Sequence, residues 1–182
     1  HNDPVKPIRI NTDSTFPVSG QRLNAYGFGE TENNSPSEVL LEAKVEYISN
    51  DECFGRGFGF GNVDTTPDVL CAGPVAGSSV CSGDSGGPLT NEDGTVLVGV
   101  TSFGSGCVAD IIPDGYVRMS ALADWIQENI CLLSRVPPTN CPPQPPKDPS
   151  AVDMAMLFQH DFWSEETTWA IRSMPLREEV YT

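Results

Sequence analysis

The stretch from Val80 to Thr90, VCSGDSGGPLT, sets a serine between two glycine turns. A serine hydroxyl is nearly inert at neutral pH until a base takes its proton, a task that usually falls to an oriented histidine. The surroundings of Ser85 suit acyl transfer. Glycines permit the tight turn that projects a hydroxyl into a cleft, and two backbone N–H groups, from Gly83 and Ser85, can converge there on a developing oxyanion. On this reading Ser85 is the nucleophile, Gly83 and Ser85 supply the oxyanion hole, and Asp84 is a structural anion that holds the turn when it meets a buried cation. The base is harder to place, because the chain has two histidines, His1 at its first residue and His160 in its tail.

The elements around this turn are strands. With 17 glycines and 16 prolines in 182 residues, short strands and many turns are favoured over long helices. In EVLLEAKVEYIS, Leu41, Ala43, Val45 and Tyr47 fall on one face and Glu42, Lys44 and Glu46 on the other, which is the pattern of a half-buried strand. TVLVGVTSF, from Thr95 to Phe103, is a β-branched run following Asn91-Glu92-Asp93-Gly94, a hairpin turn whose glycine supplies a positive φ. One helix is predicted at SALADWIQENI, with Ser120 as its N-cap and Leu122, Trp125, Ile126 and Ile130 as a core-facing stripe. The Gly- and Phe-rich CFGRGFGFGNVD reads as a flexible loop bounded by cysteines.

Composition changes after Cys131. Between Pro137 and Pro149 the chain carries seven prolines, the mark of an extended spacer rather than a core element. The predicted organisation is a β-rich domain over residues 1–131, a proline-rich linker over 132–149 and a tail over 150–182. In the tail, two apolar stretches flank WSEETT and read as the start of a small β module.

The formal charge of −15 opposes nucleic acid and anionic membrane surfaces as partners. No apolar run approaches the ~18 residues that span a bilayer. Six cysteines, at 53, 71, 81, 107, 131 and 141, lack the paired spacings and histidines of a zinc site, and read as three disulfides formed in an oxidising, extracellular compartment. The sequon Asn33-Asn34-Ser35 suits that compartment, although Pro36 works against its use. No metal or organic cofactor is called for, and no loop has acidic ligands at calcium spacing.

Residues 3–131 resemble the C-terminal half of a trypsin-like serine protease. The motifs that carry the resemblance run in family order: AYGFGET, DVLCAG, GDSGGP, TSFGSGC and PDGYVRMSALADWI. The resemblance implies an all-β fold, the second six-stranded barrel of a double β-barrel, closed by a C-terminal helix. It also implies disulfides Cys53–Cys71 and Cys81–Cys107, which leaves Cys131 and Cys141 to pair outside the common pattern. Leu23 and Asn91 stand where many members carry a further bridge. The family's triad runs His, Asp, Ser along the chain, with the histidine after Ala-Ala and before Cys. Neither partner motif occurs here, so the expectation is that an N-terminal half carrying both is missing and that this chain alone is inactive.

The same resemblance assigns the substrate pocket. Its base, six residues before the nucleophile, is Ser79, where trypsins carry Asp and chymotrypsins Ser. An ungapped count from Cys107 to Tyr116 places Asp114 where the family has Gly, facing the same floor. Ser102, Phe103, Gly104 and Gly106 form the wall, with Phe103 in place of the usual Trp, and Ser102 approaches the catalytic Asp of a complete site. A carboxylate at Asp114 would draw Arg or Lys into the pocket, while Ser79 alone points to chymotryptic cleavage; both specificities stay open. The expected function is peptide-bond hydrolysis through an acyl-enzyme on Ser85, with a protein or peptide substrate and the missing barrel as partners. The alternative is a non-catalytic, secreted binding module, although a decayed site would be free to lose Gly83, Asp84 and Ser85, and this chain keeps all three.

Overall fold

Alternating apolar and polar residues in the first 130 positions are resolved by a computed structural model into strands that close on themselves. The structure describes residues 7–55, 66–75, 77–104, 107, 112–134, 136–143, 154–159 and 168–173. Two compact units are present, His1–Ile130 and Cys131–Thr182. In the first, β1 (Arg9–Ile10), β2 (Arg22–Gly27), β3 (Leu41–Ile48), β4 (Val69–Pro74), β5 (Pro88–Asn91), β6 (Val96–Phe103) and β7 (Asp114–Arg118) form one sheet. Its order is β1-β6-β5-β2-β3-β4-β7, and a further β6–β7 pairing closes the last six strands into an antiparallel barrel. Closure removes the open edges that a sheet of this length would otherwise expose.

The predicted alternation in β3 holds where the strand crosses the barrel. Val45 is buried, Ala43 and Tyr47 are half-buried, and Glu42, Lys44 and Glu46 are exposed; Leu41, at the strand's start, is exposed as well. The barrel interior is filled by Leu23, Val45, Leu70, Leu89, Val98 and Tyr116, with Ala25, Ala72 and Val80 between them. The β5–β6 hairpin turns at Gly94, with φ of +67°. Asn91 stabilises that turn by accepting the N–H groups of Thr95 and Val96 on its side-chain oxygen, each at 2.8 Å. Leu23 and Asn91 are register partners across β2 and β5, so the two positions where relatives of the resembled family carry a bridge face one another.

Arg118 is the structural cation of this unit. Its guanidinium donates to the Tyr47 hydroxyl at 3.2 Å, to Asn50 Oδ1 at 3.1 Å and to the Val69 carbonyl at 3.3 Å, joining β7 to β3, β4 and the short helix α1 (Asn50–Gly55). Disulfides join Cys53 to Cys71, Cys81 to Cys107, and Cys131 to Cys141.

The predicted helix is present but begins later than expected. Ser120 lies inside a 3-10 turn, Met119–Ala121, and α2 runs over Ala123–Leu133. Ser120 is therefore not the N-cap, and its hydroxyl is buried without a partner among the described residues. The core stripe is also narrower than periodicity suggested: Leu122 and Ile126 are half-buried, whereas Trp125 is 62% exposed. Among the described residues, no helix is long and apolar enough to cross a membrane. In the second unit, the Cys131–Cys141 loop is tightened by a bond from Cys141 N–H to the Pro138 carbonyl at 3.0 Å. Beyond it, β8 (Met154–Gln159) pairs antiparallel with β9 (Thr168–Ser173). The loop 56–65, which the sequence reads as flexible, lies outside the described residues.

Candidate active site

Ser85 stands exposed on a turn between Val80 and β5 that backbone bonds fix on several sides. Asp84 N–H donates to the Cys81 carbonyl at 3.0 Å, and Gly87 N–H donates to the Asp84 carbonyl at 2.9 Å. The turn is then strapped to β6, since Gly86 N–H reaches the Thr101 carbonyl at 2.8 Å and Thr101 N–H reaches Gly87 at 2.9 Å. Gly83 and Gly86 have φ of +95° and +83°, a region in which a side chain is strained. While the amides of Asp84, Gly86 and Gly87 are all engaged, none of the described residues accepts a hydrogen bond from the amides of Gly83 or Ser85. Two uncommitted donors therefore flank a projecting hydroxyl, which is the inventory an oxyanion site requires.

Asp84 is half-buried beneath the turn. Its Oδ1 accepts from Gly29 N–H and its Oδ2 from Cys81 N–H, both at 2.8 Å. Among the described residues two amides, rather than a cation, hold this carboxylate. Room for it depends on Gly27 and Gly29: a Cβ at Gly29 would stand 2.6 Å from Asp84 Oδ1, and one at Gly27 would overlap the carboxylate. Sequence reasoning did not single out these two glycines, although glycines recurring at the end of a strand are the signal of a close approach by another chain segment. Glu30 N–H closes the arrangement by donating to the Ser82 carbonyl at 2.8 Å.

A cavity of about 200 Å³ opens beside Ser85, lined by Val80, Ser82, Thr101, Ser102, Phe103 and Gly104. The predicted wall residues Ser102, Phe103 and Gly104 thus meet the predicted nucleophile; Gly106 lies outside the described residues. The Phe103 ring rests on Gly115, its register partner, where any Cβ would overlap it. Ser79 and Asp114 are brought together, but not onto the surface of this cavity. The Ser79 hydroxyl donates to Asp114 Oδ2, and Asp114 is 1% exposed. Asp114 Oδ1 occupies the place where a Cβ of Gly104 would be, so a single glycine separates the carboxyl group from the cavity. Burial pushes Asp114 up from 3.8 to about 6, the hydrogen bonds from Ser79 and the Val80 amide oppose that rise, and the Asp84 charge adds to it.

A second cavity, about 350 Å³, has Asp84 on its wall and is lined by Gly27, Gly29, Glu30, Glu42, Ser78 and Ser79 among others. It is acidic, with Glu30, Glu32, Glu42 and Asp84 on its walls. Among the described residues the one grouping of potential metal ligands is Glu30 with Cys81 and Cys107, and these two sulfurs are bonded to each other and offer no thiolate. His1 and His160 lie outside the described residues.

A family model described as Trypsin matches residues 1–126. The chain is 37% identical over 129 residues to Trypsin 5G1 of Aedes aegypti, covering 70% of this chain and 47% of that protein. It is 35% identical over 117 residues to Trypsin iota of Drosophila melanogaster, covering 64% and 45%. Among solved structures it is similar to mouse neuropsin, a serine protease expressed in the limbic system of the brain, at a TM-score of 0.59 and 28% identity, over 69% of this chain and 54% of that one. The chain thus spans about half the length of these relatives.

Proposed function

This chain belongs to the trypsin family of serine proteases, and from that premise we propose that it carries the nucleophile-bearing barrel of a secreted serine endopeptidase. Ser85 attacks the scissile carbonyl, the amides of Gly83 and Ser85 take the oxyanion, and water releases the acyl group from Ser85. The observation that carries this reading is the exposed Ser85 between two uncommitted amides, on a turn anchored by both oxygens of Asp84, beside a cavity of side-chain size.

Acylation needs an imidazole to take the serine proton and return it to the leaving amine. The sequence context of the family's histidine occurs nowhere in these 182 residues. The reading therefore assigns the base, and the aspartate that orients it, to a first barrel outside them, and holds the chain by itself inactive. Loss of a triad base costs on the order of 10⁶ in rate. The acidic cavity beside Asp84 supports the entry of a cation, the role that a freed N-terminus plays in this family.

The side chain preferred before the scissile bond is basic. Asp114 brings a carboxyl group to within one glycine of the cavity, and a charge-assisted hydrogen bond is worth roughly 1.5–3 kcal/mol. Three disulfides support residence in an oxidising compartment.

Labelling by a fluorophosphonate tests this assignment. The 182-residue chain alone is expected to stay unlabelled. Complemented by a histidine-bearing first barrel of the family, it should label at residue 85 and lose the label in Ser85→Ala. A labelled isolated chain would overturn the claim of inactivity, and a complemented chain that never labels would instead point to a binding module.

A further inference from the structure

Asn33-Asn34-Ser35 is the one Asn-x-Ser/Thr run in the 182 residues, and peptide hydrolysis at Ser85 gives it no task. It lies at the tip of a hairpin between β2 and β3, where Glu30 and Pro36 form an antiparallel bridge. Thr31 N–H donates to the Ser35 carbonyl at 3.1 Å, and Asn34 N–H donates to the Thr31 carbonyl at 2.9 Å, closing a turn over residues 31–34. Asn34 takes φ of +53°, a left-handed conformation that asparagine enters more readily than most residues. Residues 32–36 are all exposed.

The two asparagines have different duties. Asn34 turns the chain in a conformation closed to proline, whose φ is fixed at about −65°. Other asparagine side chains hold backbone in place: Asn11 donates to the Asp13 and Phe16 carbonyls, Asn24 to that of Glu92, Asn50 to that of Val69 and Asn129 to that of Trp125. Asn33 holds nothing of the kind. Its backbone N–H and the Ser35 carbonyl are both engaged by Thr31, while among the described residues the Asn33 side-chain amide and the Ser35 hydroxyl have no hydrogen-bond partner. A substituent on the Asn33 nitrogen therefore breaks no contact. Glu30, Thr31 and Glu32 line the acidic cavity, but Asn33, Asn34 and Ser35 do not.

We infer that Asn33 is a glycosylation site, carrying an N-acetylglucosamine-based oligosaccharide on its side-chain nitrogen in a fraction of the chains that Pro36 limits. This goes beyond the proposed protease reading and rests only on its oxidising, extracellular compartment, which the three disulfides support. The acceptor pattern excludes proline at its middle position, and Asn34 stands there. The donor is an oligosaccharide linked through a diphosphate to a lipid. The Asn33 nitrogen bonds to C1 of the first sugar, the C1–O bond to the diphosphate breaks, and its electron pair leaves with the lipid diphosphate. The nitrogen gives up one proton to the transferase. Pro36 restricts Ser35 to extended backbone and so narrows the conformations in which the acceptor can be bound, which makes the modification partial.

Secretion of the 182-residue chain from cultured animal cells behind a cleavable leader, followed by peptide N-glycosidase F, tests the site. Two species are expected on a gel, the slower collapsing onto the faster after digestion, with peptide mass spectrometry placing the released sugar at residue 33. Asn33→Gln and Ser35→Ala should each abolish the slower species, and Pro36→Ala should raise its share roughly twofold or more. All three positions are exposed, so these changes remove no packing. A native chain that emerges with its disulfides formed and no sugar overturns the inference, even where Pro36→Ala is modified. A sugar that survives Asn33→Gln overturns it as well. Formed disulfides show that the compartment was reached, and no readout requires Ser85 to react, so these outcomes are independent of fluorophosphonate labelling.

Discussion

Asp84 and Asp114 lie in one barrel, and each brings its carboxyl group close to a glycine of a neighbouring segment, yet their surroundings give them opposite characters. Asp84 is half-buried and each of its oxygens holds a backbone amide, one from Gly29 and one from Cys81. Those donors belong to two separate segments, so the carboxylate pins the Ser85 turn to the end of β2. Asp114 is fully buried and meets a hydroxyl, one amide and the face of a glycine. A hydroxyl can turn its hydrogen away, whereas an amide cannot. The contrast separates a carboxylate that holds a backbone in shape from one whose charge responds to pH.

The comparison is broken most severely by Asp84→Ala. It leaves the amides of Gly29 and Cys81 without their acceptor, and hydrogen bonds to a charged group are worth about 1.5–3 kcal/mol each, so a loss of about 3–6 kcal/mol is expected in urea denaturation. Asp114→Asn should act in the opposite direction at neutral pH. The native group is raised from 3.8 to about 6, so its ionised form is disfavoured by folding. The stability it confers is full below pH 3.8 and is lost as pH rises through about 6. An isosteric amide escapes that loss, and the variant should gain up to about 3 kcal/mol over the native chain at pH 8 and nothing below pH 4. A denaturation series across pH checks both arms.

Gly29→Ala sharpens the same contrast at lower cost. A methyl 2.6 Å from Asp84 Oδ1 must displace the carboxylate, and overpacking of this kind typically costs about 1–3 kcal/mol, measurable as a shift in the urea midpoint. Ser85→Ala should have the smallest effect on stability, within about 0.5 kcal/mol, because the side chain is exposed. A larger loss would mean that residue 85 holds the turn together rather than projecting from it.

Much of the barrel is legible along the chain. Alternation in Ala43–Tyr47 marks an inward face because successive strand residues point to opposite sides, and Asn91 to Gly94 marks a turn because glycine tolerates positive φ. The helix is less so. Ser120 has the residue type of an N-cap, but the chain enters the helix through a 3-10 turn and leaves that hydroxyl buried. Trp125 keeps the right spacing and is still exposed, since periodicity marks a face without saying what lies opposite it.

The local character of the site, a serine on a glycine-framed turn preceded by an acid, was determined by sequence, because turn geometry depends on neighbouring residues. Which groups that acid holds, and which hydroxyls are buried without a partner among the described residues, were decided only in three dimensions. Asp84 meets Gly29 across 55 positions and Asp114 meets Ser79 across 35. Thr101 faces Tyr116 only because β6 and β7 pair in one register with a shift between Thr101 and Phe103. Residue types report what a group can do, but its partners, and hence its charge and its preference, follow from closure of the barrel.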